Sequence, residues 1–173
     1  MESVKKFIRD IPDFPKKGIV FKDIAPLIAD ATAFTKTINT LKERFSEKKV
    51  DQVVGVEARG FIFASALAYA LETGTTMVRK PGKLPYSTFQ ETYSLEYGTD
   101  TIEIHQDAFQ PGERIVLIDD VLATGGTLAA TLNLIRKNFQ SVEILEVAFL
   151  IELDFLRGRE KIKDVPIHSL IHF

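Results

Sequence analysis

Val116-Leu-Ile-Asp-Asp-Val-Leu-Ala-Thr-Gly-Gly-Thr127 decides how this chain is read. The apolar run from Arg114 to Ile118 has the length and composition of a buried parallel strand. It ends in two adjacent carboxylates, Asp119 and Asp120. A short loop follows, then Thr124-Gly-Gly-Thr127. After Thr127 the apolar residues Leu128, Leu132, Ile135 and Phe139 recur at the spacing of one helical face. The unit is therefore strand, loop, helix. In open α/β sheets ligands bind beyond the carboxyl ends of strands, where this loop must lie.

The residue types in the loop suit an anion. Gly125 and Gly126 let backbone approach without a Cβ in the way. The first turn of the following helix has unpaired N–H groups and the positive end of the helix dipole. Thr124 and Thr127 add hydroxyl donors. Asp119 and Asp120 would repel a phosphate but can accept from sugar hydroxyls, or hold a hard cation such as Mg²⁺ through water. Phosphate on one side and diol acceptors on the other describe ribose 5-phosphate. A Walker A loop is absent, which disfavours a nucleotide triphosphatase of that kind.

Composition narrows the classes further. A chain of 173 residues can form one domain with a sizeable core. The net charge of −2 gives no global field for nucleic acid. Cysteine is absent, which excludes disulfides, thiolate catalysis and zinc–thiolate sites, and fits a cytoplasmic protein. No signal peptide and no membrane span are expected. His105, His168 and His172 are scattered and read as surface or core residues, not metal ligands.

Outward from the motif, strands alternate with helices, which predicts a mostly parallel sheet covered on both faces. Glu2–Ile11 reads as a short helix ended by Pro12, and residues 12–26 as an irregular or partly extended segment. Thr32–Lys48 reads as a helix, Val50–Val56 as a strand and Phe61–Glu72 as a helix apolar on most sides, hence deeply buried. Thr75–Arg79, Ser141–Ile151 and Ile167–His172 read as strands. Within residues 80–113 the alternation of Tyr93, Leu95 and Tyr97, then Ile102 and Ile104, around a turn at 98–100, predicts an inserted β-hairpin.

Four more groups of residues carry chemistry. Glu57-Ala-Arg-Gly60 sits at a second strand-to-helix junction, with Arg59 near the same sheet end as the acid pair. Arg79-Lys-Pro-Gly-Lys83 places three cations on a bent loop, suited to a polyanion. Phe14-Pro-Lys-Lys-Gly-Ile-Val-Phe-Lys-Asp-Ile24 offers an aromatic ring to stack on a flat base, with backbone groups to read its edge. The hairpin, with Tyr93-Ser-Leu-Glu-Tyr-Gly98, could act as a lid that excludes water.

Val116–Thr127 resembles the phosphoribosyl-pyrophosphate motif of the type I phosphoribosyltransferases, and the rest of the chain, from about Phe7 onward, resembles the branch of that family that uses adenine. The resemblance implies the family's α/β fold over residues 1–173 as one domain. It has a mostly parallel central sheet flanked by helices, an N-terminal base-binding hood at about 1–35 and a flexible β-hairpin lid at about 84–106. It implies transfer of the phosphoribosyl group from phosphoribosyl pyrophosphate to N9 of adenine, with Mg²⁺, giving AMP and pyrophosphate.

By the same resemblance Asp119, Asp120 and Ala123 to Thr127 would bind the phosphoribosyl part. Glu57, Ala58, Arg59, Arg79, Lys80 and Lys83 would face pyrophosphate, with a cis peptide at Glu57-Ala58. Val20, Phe21 and Lys22 would contact adenine. Glu96 is the candidate general acid/base, with Arg59 and Arg79 as further catalytic groups and Tyr93 and Tyr97 lining the lid. A homodimer is implied too. Ala123 stands where the related 6-oxopurine enzymes carry an Asp that meets purine N7, which favours adenine over hypoxanthine or guanine. Two alternatives are a regulator of this fold, for which the chain has no room for a DNA-binding domain, and a transferase for xanthine, orotate or uracil.

Overall fold

The computed structural model describes residues 1–94 and 98–173. In chain order the elements are α1 (Glu2–Lys5), β1 (Arg9–Pro12), β2 (Val20–Asp23), α2 (Ala25–Ala29), α3 (Ala31–Phe45), β3 (Gln52–Val56), α4 (Gly60–Leu71) and β4 (Gly74–Val78). They continue with β5 (Thr88–Ser94), β6 (Thr99–His105), β7 (Arg114–Leu122), α5 (Gly126–Asn138), β8 (Glu143–Glu152) and β9 (Ile167–His172). Two short 3₁₀ turns, Asp154–Leu156 and Gly158–Lys161, lie between the last two strands.

Five strands form the central sheet in the order β4-β3-β7-β8-β9, and every pairing is parallel. The strands at its centre are apolar on both faces: Val53, Val54, Val116, Leu117 and Ile118 are all buried, as a sheet covered on both sides requires. One face packs with α3 and α4 through Leu41, Phe45, Phe63 and Leu67. The other packs with α5 and the hairpin through Leu128, Leu132, Ile135, Ile102 and Ile104. Each fully buried Leu or Phe of this kind contributes about 1.5–3 kcal/mol.

Strand order places the site. The connection from β3 runs through α4 to β4 on one side, and that from β7 runs through α5 to β8 on the other. Neighbouring strands whose crossovers diverge leave a crevice at their carboxyl ends. The chain therefore opens between the loop after Val56 and the loop after Leu122.

Several expectations need correction. Glu2–Ile11 is not one helix: after α1 the chain turns and Arg9–Pro12 pairs antiparallel with Val20–Asp23. A four-residue helix is too short to persist, and Pro12 takes an edge position where its missing N–H is harmless. The acid-pair strand does not end at Ile118 but runs to Leu122, carrying Asp119 and Asp120 inside the ladder with β8. Helix α4 is not buried all round, because Ile62 and Tyr69 face outward, Tyr69 at 87% exposure. On β6 the residue between Ile102 and Ile104 does not face water: Glu103 is only 2% exposed.

The hairpin is the expected antiparallel pair, β5 with β6, Tyr93 opposite Asp100. It joins the edge of the sheet through a bridge from Arg79 to Glu103. No helix among the described residues is long and apolar enough to cross a membrane.

Candidate active site

The short loop from Ala123 leads straight into α5, whose N-cap is Gly125 in the left-handed region (φ +74°) and whose first turn holds Gly126 and Thr127. A glycine cap has no side chain to accept from the first-turn N–H groups, and no side chain among the described residues caps them. Those donors stay open for an anion. A cavity at this point is lined by Asp119, Val121 and all of Ala123 to Thr127.

Beside it, α4 begins at Gly60, pressed against β7: a Cβ there would lie 2.9 Å from both the Asp119 Oδ1 and the Ile118 carbonyl oxygen. Only glycine lets the loop after β3 come so near the acid pair. That loop contains the cis peptide Glu57-Ala58 expected from the resemblance.

The acid pair is electrostatically uncomfortable. Burial, and then the charge of Asp120, hold the Asp119 carboxyl well above its ordinary range. Burial also raises Asp120, although the Arg59 charge works against it. Arg59 Nη2 lies 2.7 Å from Asp120 Oδ2, yet this buried oxygen accepts no aligned hydrogen bond. The contact is Coulombic, with lone-pair capacity left over. Two crowded carboxyls with spare acceptor sites fit a hydroxyl pair or a divalent cation.

Arg59 also reaches β2. Its guanidinium carbon sits 4.8 Å from the centre of the Phe21 ring, which meets Phe14 edge-on at 5.1 Å. One arginine thus spans from the acid pair to an aromatic surface on β2. The flanking Val20 is 48% exposed, and Lys22 is turned to Asp10 (2.7 Å) and the Phe173 ring.

The basic loop is organised by carboxylates. Glu57 Oε2 accepts from Arg79 Nε at 3.1 Å and from the Lys80 backbone N–H at 2.9 Å. Arg79 Nη1 donates to the Lys83 carbonyl at 3.0 Å, closing the bend. Lys80 pairs with Asp100 of the hairpin, and the Lys83 side chain is exposed.

The hairpin touches the first turn of α5. Tyr93 Oη lies 3.2 Å from Asp100 Oδ2 and 3.1 Å from Thr127 Oγ1. A carboxylate can only accept, so Tyr93 donates to Asp100 and Thr127 donates to Tyr93. Burial raises the Tyr93 phenol pKa above its ordinary value, which keeps it a donor at neutral pH.

The structure therefore brings together Glu57, Arg59, Arg79, Lys80, Tyr93, Asp119, Asp120 and Ala123 to Thr127, with Phe21 against Arg59. Glu96 and Tyr97 lie outside the described residues. Two participants escaped the sequence reading. In the sequence Asp100 reads as part of a turn, and Glu103 as the polar residue of an alternating strand. Glu103 is buried and accepts from the N–H groups of Lys83 and Leu84, both at 3.2 Å, and from Thr88 and Gln90. Its only sequence signal was a carboxylate between two isoleucines. Glu152, Asp154 and His172 also gather closely enough to hold a metal, but Glu152 is already engaged by Arg159 and Ser169.

Fold and site define a class: residues 27–168 match the model of the phosphoribosyl transferase domain. An adenine phosphoribosyltransferase of Syntrophotalea carbinolica is 59% identical over 173 residues, 100% of both chains. One of Geobacter metallireducens is 56% identical with the same coverage. The crystal structure of adenine phosphoribosyltransferase from Thermoanaerobacter pseudethanolicus superposes with a TM-score of 0.94 at 49% identity, covering 99% of each chain. That from Saccharomyces cerevisiae, complexed with adenine and an imino-altritol bisphosphate, gives 0.90 at 40% identity, covering 98% of this chain and 97% of its own. The chain belongs to the adenine phosphoribosyltransferase family.

Proposed function

We propose that this protein transfers the 5-phosphoribosyl group of phosphoribosyl pyrophosphate to N9 of adenine, forming AMP and pyrophosphate in purine salvage. The observation that carries this reading is the Phe21–Arg59–Asp120 chain of contacts. It sets an aromatic base surface next to an acid pair, and the acid pair next to an uncapped, glycine-rich helix N-terminus. The yeast relative binds adenine and a bisphosphate, in keeping with both halves of such a site.

In this reading the N–H groups and hydroxyls of Ala123 to Thr127 hold the 5′-phosphate. Asp119 and Asp120 accept from the ribose hydroxyls. Adenine lies on Phe21, with the main chain of Val20 and Lys22 along its edge. N9 attacks C1′, the bond from C1′ to the pyrophosphate oxygen breaks, and the imidazole proton leaves. Positive charge develops on the ribose and negative charge on the departing pyrophosphate. Arg59, Arg79, Lys80, Lys83 and the amides of Glu57 and Ala58 balance the latter, the kind of preorganised electrostatics that dominates catalysis. Glu96 is the proton acceptor by resemblance, and Tyr93 and Tyr97 belong to the lid that excludes water.

Mg²⁺ held by Asp119 and Asp120, through water, would screen the pyrophosphate and ribose oxygens. Mg²⁺ dehydrates reluctantly and needs few protein carboxylates, which suits the pair Asp119 and Asp120. Ala123 leaves the space beside the base without a carboxylate and favours adenine over 6-oxopurines. The exposed Ile62 and Tyr69 of α4 and Met77 of the edge strand β4 support a homodimer through that side. The absence of cysteine agrees with a cytoplasmic location.

The role of Arg79 has a direct test. Arg79→Ala is expected to lower kcat by about a hundredfold, the usual cost of removing one aimed charge or donor. Unchanged kcat and KM would remove Arg79 from the mechanism.

A further inference from the structure

The phosphate loop does not set its own shape. The 3₁₀ turn Gly158–Lys161 comes against it so closely that a Cβ on Gly158 would fall on the Ala123 carbonyl oxygen and lie 3.0 Å from the Gly125 nitrogen. A Cβ on Gly125 would in turn fall on the Gly158 carbonyl. The two glycines meet backbone to backbone. Such a contact has no rotamer to relax, so any displacement of residue 158 passes directly to residues 123–125.

Residue 158 is itself anchored. Arg159 donates from Nε to Glu152 Oε1 at 3.0 Å, from Nη2 to Oε2 at 2.5 Å, and from Nη1 to the Ile167 carbonyl at 2.8 Å. Ser169 Oγ donates to the same Oε2 at 2.5 Å. Glu152 is buried, and it pairs in register with Leu122, the last strand residue before the phosphate loop. A bidentate Arg–carboxylate fork fixes direction as well as distance. The result is a closed brace: β7 to β8 through the ladder, β8 to Arg159 through Glu152, and Gly158 back onto the loop at the end of β7.

We propose that Gly158 and Arg159, fixed by Glu152 and Ser169, are positioning residues that preform the 5′-phosphate subsite. The proposal rests on the reading of residues 123–127 as that subsite. Side chains of the brace are directed at β8 and β9, so they act through loop geometry and not on the reacting atoms. A loop that must order itself on binding weakens the ligand whose phosphate it grips. The base, held on Phe21, is spared.

The test combines isothermal titration of ribose 5-phosphate with steady-state kinetics for wild type, Gly158→Ala, Arg159→Met and Arg159→Lys. Gly158→Ala and Arg159→Met are expected to raise the ribose 5-phosphate Kd and the KM for phosphoribosyl pyrophosphate by about tenfold to a hundredfold. The KM for adenine should move less than about twofold, because a held phosphate and a stacked base are separate contacts. Arg159→Lys keeps the charge without the fork and should recover only part of the loss; it also carries the test should Gly158→Ala not fold. Folded variants that bind ribose 5-phosphate like wild type would overturn the brace. So would a parallel rise in both KM values, the mark of general loosening. Failure of wild type itself to bind ribose 5-phosphate is a different result: it would refute the subsite assignment beneath the proposal.

Discussion

At the scale of single residues the site is built at the expense of stability. The Asp119 carboxyl is held well above its ordinary range by burial and by its neighbour Asp120. For an acid, a raised pKa means that ionisation at neutral pH costs the folded state more than the unfolded one. Asp119→Asn should therefore leave Tm at pH 7 unchanged or raised, measured without Mg²⁺ or substrate. The same substitution should lower kcat/KM for phosphoribosyl pyrophosphate by about a hundredfold through lost hydroxyl and metal contacts. A lower Tm together with full activity would make Asp119 a structural residue. Arg59 is the counterpart. It meets Asp120 on one side and the Phe21 ring on the other, so one side chain joins the acid pair to the aromatic surface of β2.

At the scale of elements, the ends of strands do the positioning. β3 leads into Glu57 and Arg59, β4 leads into Arg79 and Lys80, β7 carries the acid pair and leads into the glycine-rich loop, and β8 ends in Glu152. Burial pushes the Glu152 carboxyl up, but the hydrogen bonds from Arg159 and Ser169 and the charge of Arg159 bring it below its ordinary value of 4.5. A lowered carboxyl pKa stabilises the fold above the ordinary value, and that stabilisation is lost as pH falls through and below it. The drop in Tm between pH 6 and pH 4, values spanning the ordinary carboxylate range, should thus be smaller in Glu152→Gln than in wild type. Equal drops would show that Glu152 is not what acid releases.

The parts of the elements that could be read in advance are those governed by periodicity. Leu128, Leu132 and Ile135 announce α5, and the strand read over Ile167–His172 has the same bounds as β9. What escaped was set by tertiary partners. Arg9–Pro12 becomes a strand only because Val20–Asp23 lies beside it. Glu103 can be buried only because four donors from residues 83–90 converge on it. Gly158 and Arg159 gave no motif at all, since their importance comes from a loop more than thirty positions away. The glycine-rich loop, acid pair and basic loop can be picked out as groups because their residues are adjacent in sequence; the contacts that arrange them are not local.

On the scale of the whole molecule, the parallel sheet gathers these loops at one edge, and the divergence of crossovers between β3 and β7 opens the crevice that receives them. On the side of β4 and α4 the molecule presents Ile62, Tyr69 and Met77 to solvent. Covering them in a homodimer predicts that Tyr69→Asp shifts the sedimentation coefficient to that of a monomer of 19.4 kDa. A wild type that already sediments as a monomer at micromolar concentration would contradict the dimer.

The central claim is that the crevice joins adenine to a phosphoribosyl group. Purified protein with Mg²⁺ and phosphoribosyl pyrophosphate, offered adenine, hypoxanthine, guanine or orotate in turn, tests it most directly. The account predicts AMP from adenine, one pyrophosphate released per AMP, and no comparable nucleotide from the other bases. Folded protein that makes no AMP, or that makes nucleotide from hypoxanthine as readily as from adenine, would contradict it.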